Sequence, residues 1–313
     1  MRLTFPGNIW QIPVMKAALL PDRGVVKVAG PDARKFLNGL VTADMGKVTP
    51  VHPAFAALLT PQGKIMVDFI VTEVADGSFL LDCPRAVAAT LVERLAFYKL
   101  RAKVTLDNQS GGVVAIWDGA DVFRPAPGHG GSYYSDPRLP ELGLRCPLPA
   151  PPADIAATFG AELVDAADYE AHRIALGVPA GGLDFAYGEA FPHEADMDQL
   201  NGIDFQKGCF VGQEVVSRME HRGTARSRVV PVALGEAAPA SGSAVTADGR
   251  PMGVMGSAAG RRALALLRLD RVEEALAAGA SLQAGGVALK LVKPAWARFA
   301  FPGDAARNSE AAL

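Results

Sequence analysis

Residues Lys207 to Arg228 read KGCFVGQEVVSRMEHRGTARSR. Cys209 stands between Gly208 and Gly212, with Lys207 just before it and Gln213 and Glu214 just after. The spacing predicts a helix beginning near Gly212, and a helix N-terminus and a nearby cation both lower a thiol's pKa. The two glycines would let the backbone approach a ligand closely. The position suits a reactive or ligand-facing thiol, and equally an ordinary buried cysteine, since cysteine is among the residue types most often buried. Further along, Arg218, His221, Arg222, Arg226 and Arg228 form a basic run opposed only by Glu220. On a chain of formal charge −2, an anionic partner must be met by a local patch, and this run is the best candidate.

Downstream of Arg226, the segments RVVPVAL, SAVTADGRPMGVMGSA, ALALLRL and SLQAGGVALKLVKP are short strand candidates split by glycines. They predict a small β-barrel or sandwich. Upstream lies VPAGGLDFAYGEAFPHEADMDQLNGIDFQ, too irregular for one element and long enough to be functional. Within it His193, Glu194, Asp196 and Asp198 cluster without a second histidine at a metal-binding spacing. We read them as a loop organised by side-chain to backbone hydrogen bonds, with no metal. Before the loop, DAADYEAHRIALG predicts a helix with Asp165 as N-cap, Gly177 at its end and Pro179 just beyond.

In the N-terminal half, LPDRGVVKVAG reads as a strand, followed by a helix opened by Pro31. AFAALLT, IMVDFIVTEV and FLLDC are apolar runs separated by PQGK and ADGS, the pattern of an antiparallel meander. Strand alternation sets Met66, Asp68 and Ile70 on one face and Ile65, Val67 and Phe69 on the other. A carboxylate on so apolar a strand must lie at an edge, be hydrogen-bonded, or face a cavity, which makes Asp68 a candidate functional group. From Pro84 a helix carries Val87, Leu91, Leu95 and Tyr98, and strand character returns near residue 106. A second unit opens at GGVVAIWDG and runs through the glycine-rich GHGGSYYSDPRLPELGLR to the proline-rich CPLPAPPADI.

The 313 residues exceed most single cores and predict two or three units. With half the residues hydrophobic and a fifth charged, the composition is globular. Three scattered cysteines, Cys83, Cys146 and Cys209, give neither a disulfide framework nor a self-sufficient zinc or cluster site. We expect packing roles for Cys83 and Cys146 and a reducing, cytoplasmic compartment. The first residues are interrupted by Pro6, Gly7 and Pro13, so no signal-peptide core is expected. No apolar run approaches the roughly 20 residues that span a bilayer, and no membrane association is expected.

KGCFVGQE followed by Arg218 resembles the signature of the YgfZ family of folate-binding proteins, relatives of GcvT, the aminomethyltransferase T-protein of the glycine cleavage system. RIALGVPAGGLDF, PHEADMDQLNGIDF, VVKVAGPDARKFLNGLVTADM and LLTPQGKIMVDFIV strengthen the likeness, which covers nearly the whole chain. It implies an α+β fold with two units around a central cavity (1–110 and 111–225), a C-terminal β-barrel (226–302) and a tail (303–313). It implies tetrahydrofolate as cofactor and a role in assembling or repairing iron-sulfur enzymes, including tRNA-modifying ones, with those clients or the assembly machinery as partners. The family's motif cysteine falls on Cys209, at the cavity or its mouth, with Lys207, Gly208, Gly212, Gln213, Glu214 and Arg218 matching around it. Tyr169, Arg173, Asp184 and Phe185 become candidate folate contacts, and Asp68 falls where the T-protein branch places a carboxylate beside the reactive part of its folate. The T-protein's Tyr-Thr-Gly-Glu segment is replaced here by YYSDPRLPELG, which favours the accessory role over aminomethyl transfer. No RNA-binding signature accompanies the basic run, and direct nucleic-acid binding is not expected.

Overall fold

The computed structural model describes residues 14–119, 133–147, 151–223 and 225–304. The expectations for the extreme N-terminus, the start of the glycine-rich loop, part of the proline-rich connection and most of the tail lie outside these residues. Strands β1 (Lys16–Leu20) and β2 (Arg23–Ala29) follow one another across Pro21 and Asp22. They nevertheless enter different sheets. Helix α1 (Ala33–Asn38) comes next, opened by Asp32 and not by Pro31. The meander follows as β3 (Ala54–Leu59), β4 (Ile65–Glu73) and β5 (Phe79–Pro84). Helix α2 (Arg85–Lys99) and β6 (Thr105–Gln109) complete a sheet of order β3-β4-β5-β2-β6. One face of it buries Val26, Val28, Val67, Phe69, Val71, Leu81 and Cys83 beneath α1 and α2.

β7 (Val113–Trp117), β8 (Tyr134–Ser135) and β9 (Leu144–Pro147) build a second sheet. After α3 (Pro152–Phe159), the short β10 (Glu162–Leu163) joins it to give the order β10-β1-β7-β9-β8. The chain's first strand thus pairs with β7 and β10 of the second sheet, which ties the two α+β units together. α4 (Ala166–Leu176) ends at Gly177 as the sequence predicts, and Asp165 holds the N-cap position without a side-chain cap bond. The irregular stretch leads to α5 (Gln213–Arg222).

The C-terminal strands are β11 (Ser227–Leu234), β12 (Ala244–Ala247), β13 (Arg250–Ala259) and β14 (Arg262–Arg268). Helix α6 (Leu269–Ala277) then precedes β15 (Leu282–Ala284) and β16 (Val287–Leu291). They close as β11-β14-β13-β12-β15-β16, because β16 returns to β11 in the register Val232↔Leu291. This is a barrel and not a sandwich, and closure removes the exposed edges that short strands otherwise present. The strand pattern alone gives no sign of α6, which packs Leu269 and Val272 against the barrel core.

Candidate functional site

On β4 the alternation is broken by a bulge. Leu58 pairs with Val67 and Leu59 with Ile65, leaving Met66 extra. The bulge turns Ile65 to the side expected for Met66, while Met66 packs with Val67 in the helix-covered core. That corrects the predicted faces on this point, but Asp68 and Ile70 keep theirs. Ile70 pairs directly with Asp82 on β5, so Asp68, Ile70 and Asp82 project from the face turned toward the second unit. There a cavity of about 330 Å³ is lined by Arg23, Asp68, Arg138, Arg145, Tyr169 and Arg173 among others.

A ladder of alternating charges forms its buried wall. Arg23 Nε donates to Asp82 Oδ1 at 2.6 Å, and Arg145 Nη1 donates to Asp82 Oδ2 at 2.5 Å. Arg145 Nε reaches Asp136 Oδ2 at 2.8 Å, and Arg138 grips the same carboxylate through Nε (2.9 Å) and Nη2 (2.7 Å). The ladder therefore stitches β2 and β5 of one sheet to β9 of the other. Burial by itself would raise the Asp82 carboxyl, but Arg145 and Arg23 outweigh it and hold it below the usual aspartate value. Asp136 is held down likewise, with Arg138 and then Arg145 overcoming burial. Sequence reading missed this ladder, although Asp82 in FLLDC carries the signal that marked Asp68, a carboxylate on an apolar strand.

Asp68 is 5% exposed and accepts a hydrogen bond from the Tyr187 hydroxyl. Burial, and then Asp68 itself, pushes the Tyr187 phenol well above its ordinary pKa, so it stays a donor. Gly181 makes this contact sterically feasible, since a Cβ there would collide with both the Tyr187 hydroxyl and the Asp68 carboxylate. Among the described residues no second group bonds Asp68, and Nη1 of Arg23 and of Arg138 donate to none while not being sealed from solvent. The cavity wall thus offers the buried Asp68 carboxylate as an acceptor together with guanidinium donors, and Asp22 and Glu170 line it as well.

The remaining candidates divide. Tyr169 lines the cavity, its ring edge-on to Trp117 at 5.2 Å and its hydroxyl 3.3 Å from Arg145 Nη2. Arg173 also lines it, yet all three of its nitrogens are engaged. They contact Glu170, the Val178 carbonyl (2.5 Å), Asp184 (2.8 Å) and Ser257 of the barrel (2.7 Å). Asp184 is occupied by Arg173, by Ser257 and by the Ala180 N–H, so it fastens the loop to β13 and does not line the cavity. Phe185 packs in the core against Tyr187, also off the cavity wall.

The motif loop is placed elsewhere. Lys207 is buried, and its Nζ donates to the carbonyls of Asn38 (2.8 Å), Val41 (2.6 Å) and Ala43 (2.8 Å), which clamps the loop to the end of α1. Burial pushes its pKa down to about 8 against the pull of Asp44 and Asp204, so the ammonium with its three donors persists at neutral pH. Phe210 is buried on the other side of the cysteine. Gly212 adopts φ 81°, and a Cβ on it would lie 2.6 Å from the Thr60 carbonyl oxygen. Between these anchors Cys209 is exposed, neither the buried thiol allowed by its composition nor a lining residue of the cavity. Cys83 and Cys146 are buried, and burial pushes both thiols up to about 12. Lys207→Met is expected to cost about 2 kcal/mol, because the three carbonyls lose the ammonium that donates to them. Amide exchange should rise in residues 205–212 more than elsewhere, and unchanged exchange would dismiss the clamp.

Gln213 and Glu214 open α5, with Glu214 exposed and paired to the exposed Arg218 one turn on at 2.5 Å. Neither Glu214 nor Arg218 lines the cavity, and the basic run is not one patch. Arg228 is buried, bonded to Asp196 (2.9 Å), Asp198 (2.9 and 2.8 Å) and the His193 carbonyl (2.9 Å). With the Glu194 carboxylate accepting from the Phe191 N–H at 2.8 Å, these contacts organise the PHEADMD loop.

Residues 22–117 match the model of the GCVT N-terminal domain, and residues 226–299 match that of the CAF17 C-terminal beta-barrel domain. The crystal structure of the glycine cleavage system aminomethyltransferase T from Bartonella henselae superposes with a TM-score of 0.73 at 17% identity. The match covers 92% of this chain and 88% of that one. The chain is thus a GcvT-like α+β protein with a C-terminal six-stranded barrel. Human mitochondrial iron-sulfur cluster assembly factor IBA57 is 32% identical over 303 residues, 88% of this chain and 84% of that protein. The IBA57 homolog of Mycosarcoma maydis is 38% identical over 234 residues, 70% of this chain but 57% of the longer relative. The chain belongs to the IBA57 family of iron-sulfur cluster assembly factors. Both relatives are named as mitochondrial, which overturns the cytoplasmic expectation. Sparse, scattered cysteines do not distinguish one compartment from another.

Proposed function

We propose that this protein is a tetrahydrofolate-binding accessory factor for the assembly or repair of iron-sulfur enzymes, tRNA-modifying ones among them. Membership of the IBA57 family supports the assembly role. The observation that carries the folate reading is the Asp68 carboxylate on the wall of a cavity that Arg23 and Arg138 also line. The edge of a pterin offers N–H donors beside a carbonyl acceptor, and a carboxylate next to guanidinium groups is the complementary set. At about 330 Å³ the space is at the small end of the roughly 300–1,000 Å³ range of small-molecule sites, suited to the bicyclic ring. Tyr169 would supply the aromatic wall, while tetrahydrofolate would bring the one-carbon-carrying nitrogens.

In this reading Cys209 works apart from the cavity, held out by the Lys207 clamp for a client or for the assembly machinery. A single thiolate cannot hold a cluster alone, so any cluster in transit takes its other ligands from a partner or a small molecule. Two measurements test the proposal. Calorimetry should show saturable tetrahydrofolate binding to the purified protein, and its absence would remove the folate half. In a strain lacking this protein, wild type should restore iron-sulfur enzyme activity and Cys209→Ala should not. Full rescue by Cys209→Ala would make the thiol dispensable.

A further inference from the structure

A surface helix ordinarily turns a polar face to water. α2 buries Ala88, Leu91 and Leu95 against the first sheet, yet between Ala86 and Tyr98 only Glu93 and Arg94 are charged. Its C-terminal end carries the most exposed apolar side chains. Phe97 is 75% exposed, and Leu100, at 90%, stands further into solvent than any other large hydrophobic among the described residues. Tyr98 packs against the core and meets the Phe97 ring edge-on at 5.4 Å, which braces that ring outward. Leu100 caps the helix at φ 42°, a left-handed backbone that bulky residues rarely adopt and that glycine usually supplies at a helix end. Packing within the chain gives no reason for a leucine there.

The charges around this end are a second observation. Arg94, Lys99, Arg101 and Lys103 crowd together, whereas Glu93 is the one carboxylate between positions 93 and 103. Among the described residues none of these four side chains enters an ion pair or a hydrogen bond. On a chain of formal charge −2, such an unpaired cluster makes a local positive field. Apolar tips that protrude among cations suit a lipid interface, which takes the tips at its headgroup boundary while its anionic lipids meet the charges. An acidic protein surface would need a pocket moulded to both side chains.

We propose that the C-terminal end of α2 docks on an anionic membrane surface, with Phe97 and Leu100 entering the headgroup boundary and the four cations facing acidic lipids. Among the described residues no helix is long and apolar enough to cross a bilayer. The expectation of no membrane association rests on the lack of a spanning run, and it does not extend to the bilayer surface. The patch shares no residue with the folate cavity or the motif loop, so it stands or falls independently of the function proposed above.

The probe is a phosphatidylcholine vesicle carrying about 30% phosphatidylserine, an anionic lipid, with co-sedimentation of the full chain as the readout. Binding is expected to these vesicles and not to pure phosphatidylcholine. It should be lost between about 0.1 M and about 1 M salt, where the screening length falls from about 10 Å to about 3 Å. Phe97→Ser with Leu100→Ser should weaken it by about tenfold or more, at positions too exposed to disturb the core. Arg101→Glu with Lys103→Glu should abolish it. Arg250→Glu with Arg271→Glu makes the same charge change at exposed positions on the barrel and should bind as wild type does. No binding to the anionic vesicles, undiminished binding in either α2 variant, or equal loss in the barrel variant would each overturn the proposal. Absent vesicle binding combined with failure of Phe97→Ser/Leu100→Ser to restore iron-sulfur enzyme activity would overturn it in favour of an acidic protein partner.

Discussion

Arg145→Met should lower the unfolding free energy by about 3 kcal/mol at neutral pH, measured by urea denaturation. Removing one partner of a buried ion pair typically costs about 3–5 kcal/mol, because the charge left behind stays buried without compensation. Arg145 is 3% exposed and is the middle rung, bonded to Asp82, Asp136 and Tyr169. The lower end of the range applies because Asp82 keeps Arg23 and Asp136 keeps Arg138. Adding Asp82→Asn to Arg145→Met should not recover the loss, because it takes from Arg23 the carboxylate that it keeps in the single variant. A loss under about 1 kcal/mol would mean that the ladder does not hold the two sheets together.

The same rungs set the behaviour in acid. Asp82 and Asp136 have folded-state pKa values below the ordinary 3.8. The stability they contribute is therefore fully present above that value and is lost as pH falls through the lower folded values. Without Arg145 both folded values move up, so acid destabilisation of the variant should begin at higher pH than in wild type. Coincident acid profiles would contradict this assignment of the shifts.

Asp68→Asn should weaken tetrahydrofolate binding by about 10- to 150-fold, read by calorimetry. The substitution keeps shape and keeps an oxygen for the Tyr187 hydroxyl, but removes the charge. Hydrogen bonds to a charged group contribute about 1.5–3 kcal/mol, and each 1.4 kcal/mol is a factor of ten. Tyr187→Phe should have a smaller effect, since Tyr187 only orients the carboxylate. Equal affinity for wild type and Asp68→Asn would take Asp68 out of the site. The same variant addresses aminomethyl transfer. If the wild type formed methylene-tetrahydrofolate from an aminomethyl donor, Asp68→Asn should abolish turnover, and no turnover in the wild type would leave the accessory role alone.

Much of the architecture is local and was legible. The meander, α2, α4 with its Gly177 stop and the C-terminal strands follow from periodicity and turn residues, which act within a few positions of the chain. Cys209 just before a helix was equally legible, as was the carboxylate on β4. By itself the sequence determined where most strands and helices α2, α4 and α5 run, which motif the chain carries, and that Asp68 sits on an apolar strand.

Tertiary structure alone decided what those groups touch. The bulge at Met66, the crossing of β1 into the second sheet and the barrel's closure depend on pairing between distant strands. Lys207 looked like a neighbour to activate the thiol, yet it is spent on three backbone carbonyls 164 to 169 positions away. The basic run scattered because Arg228 turned inward to two aspartates, while Arg218 turned outward to Glu214. A buried charge takes whichever opposite charge or carbonyl the packing places within about 3 Å, and strand and helix signals are blind to that choice.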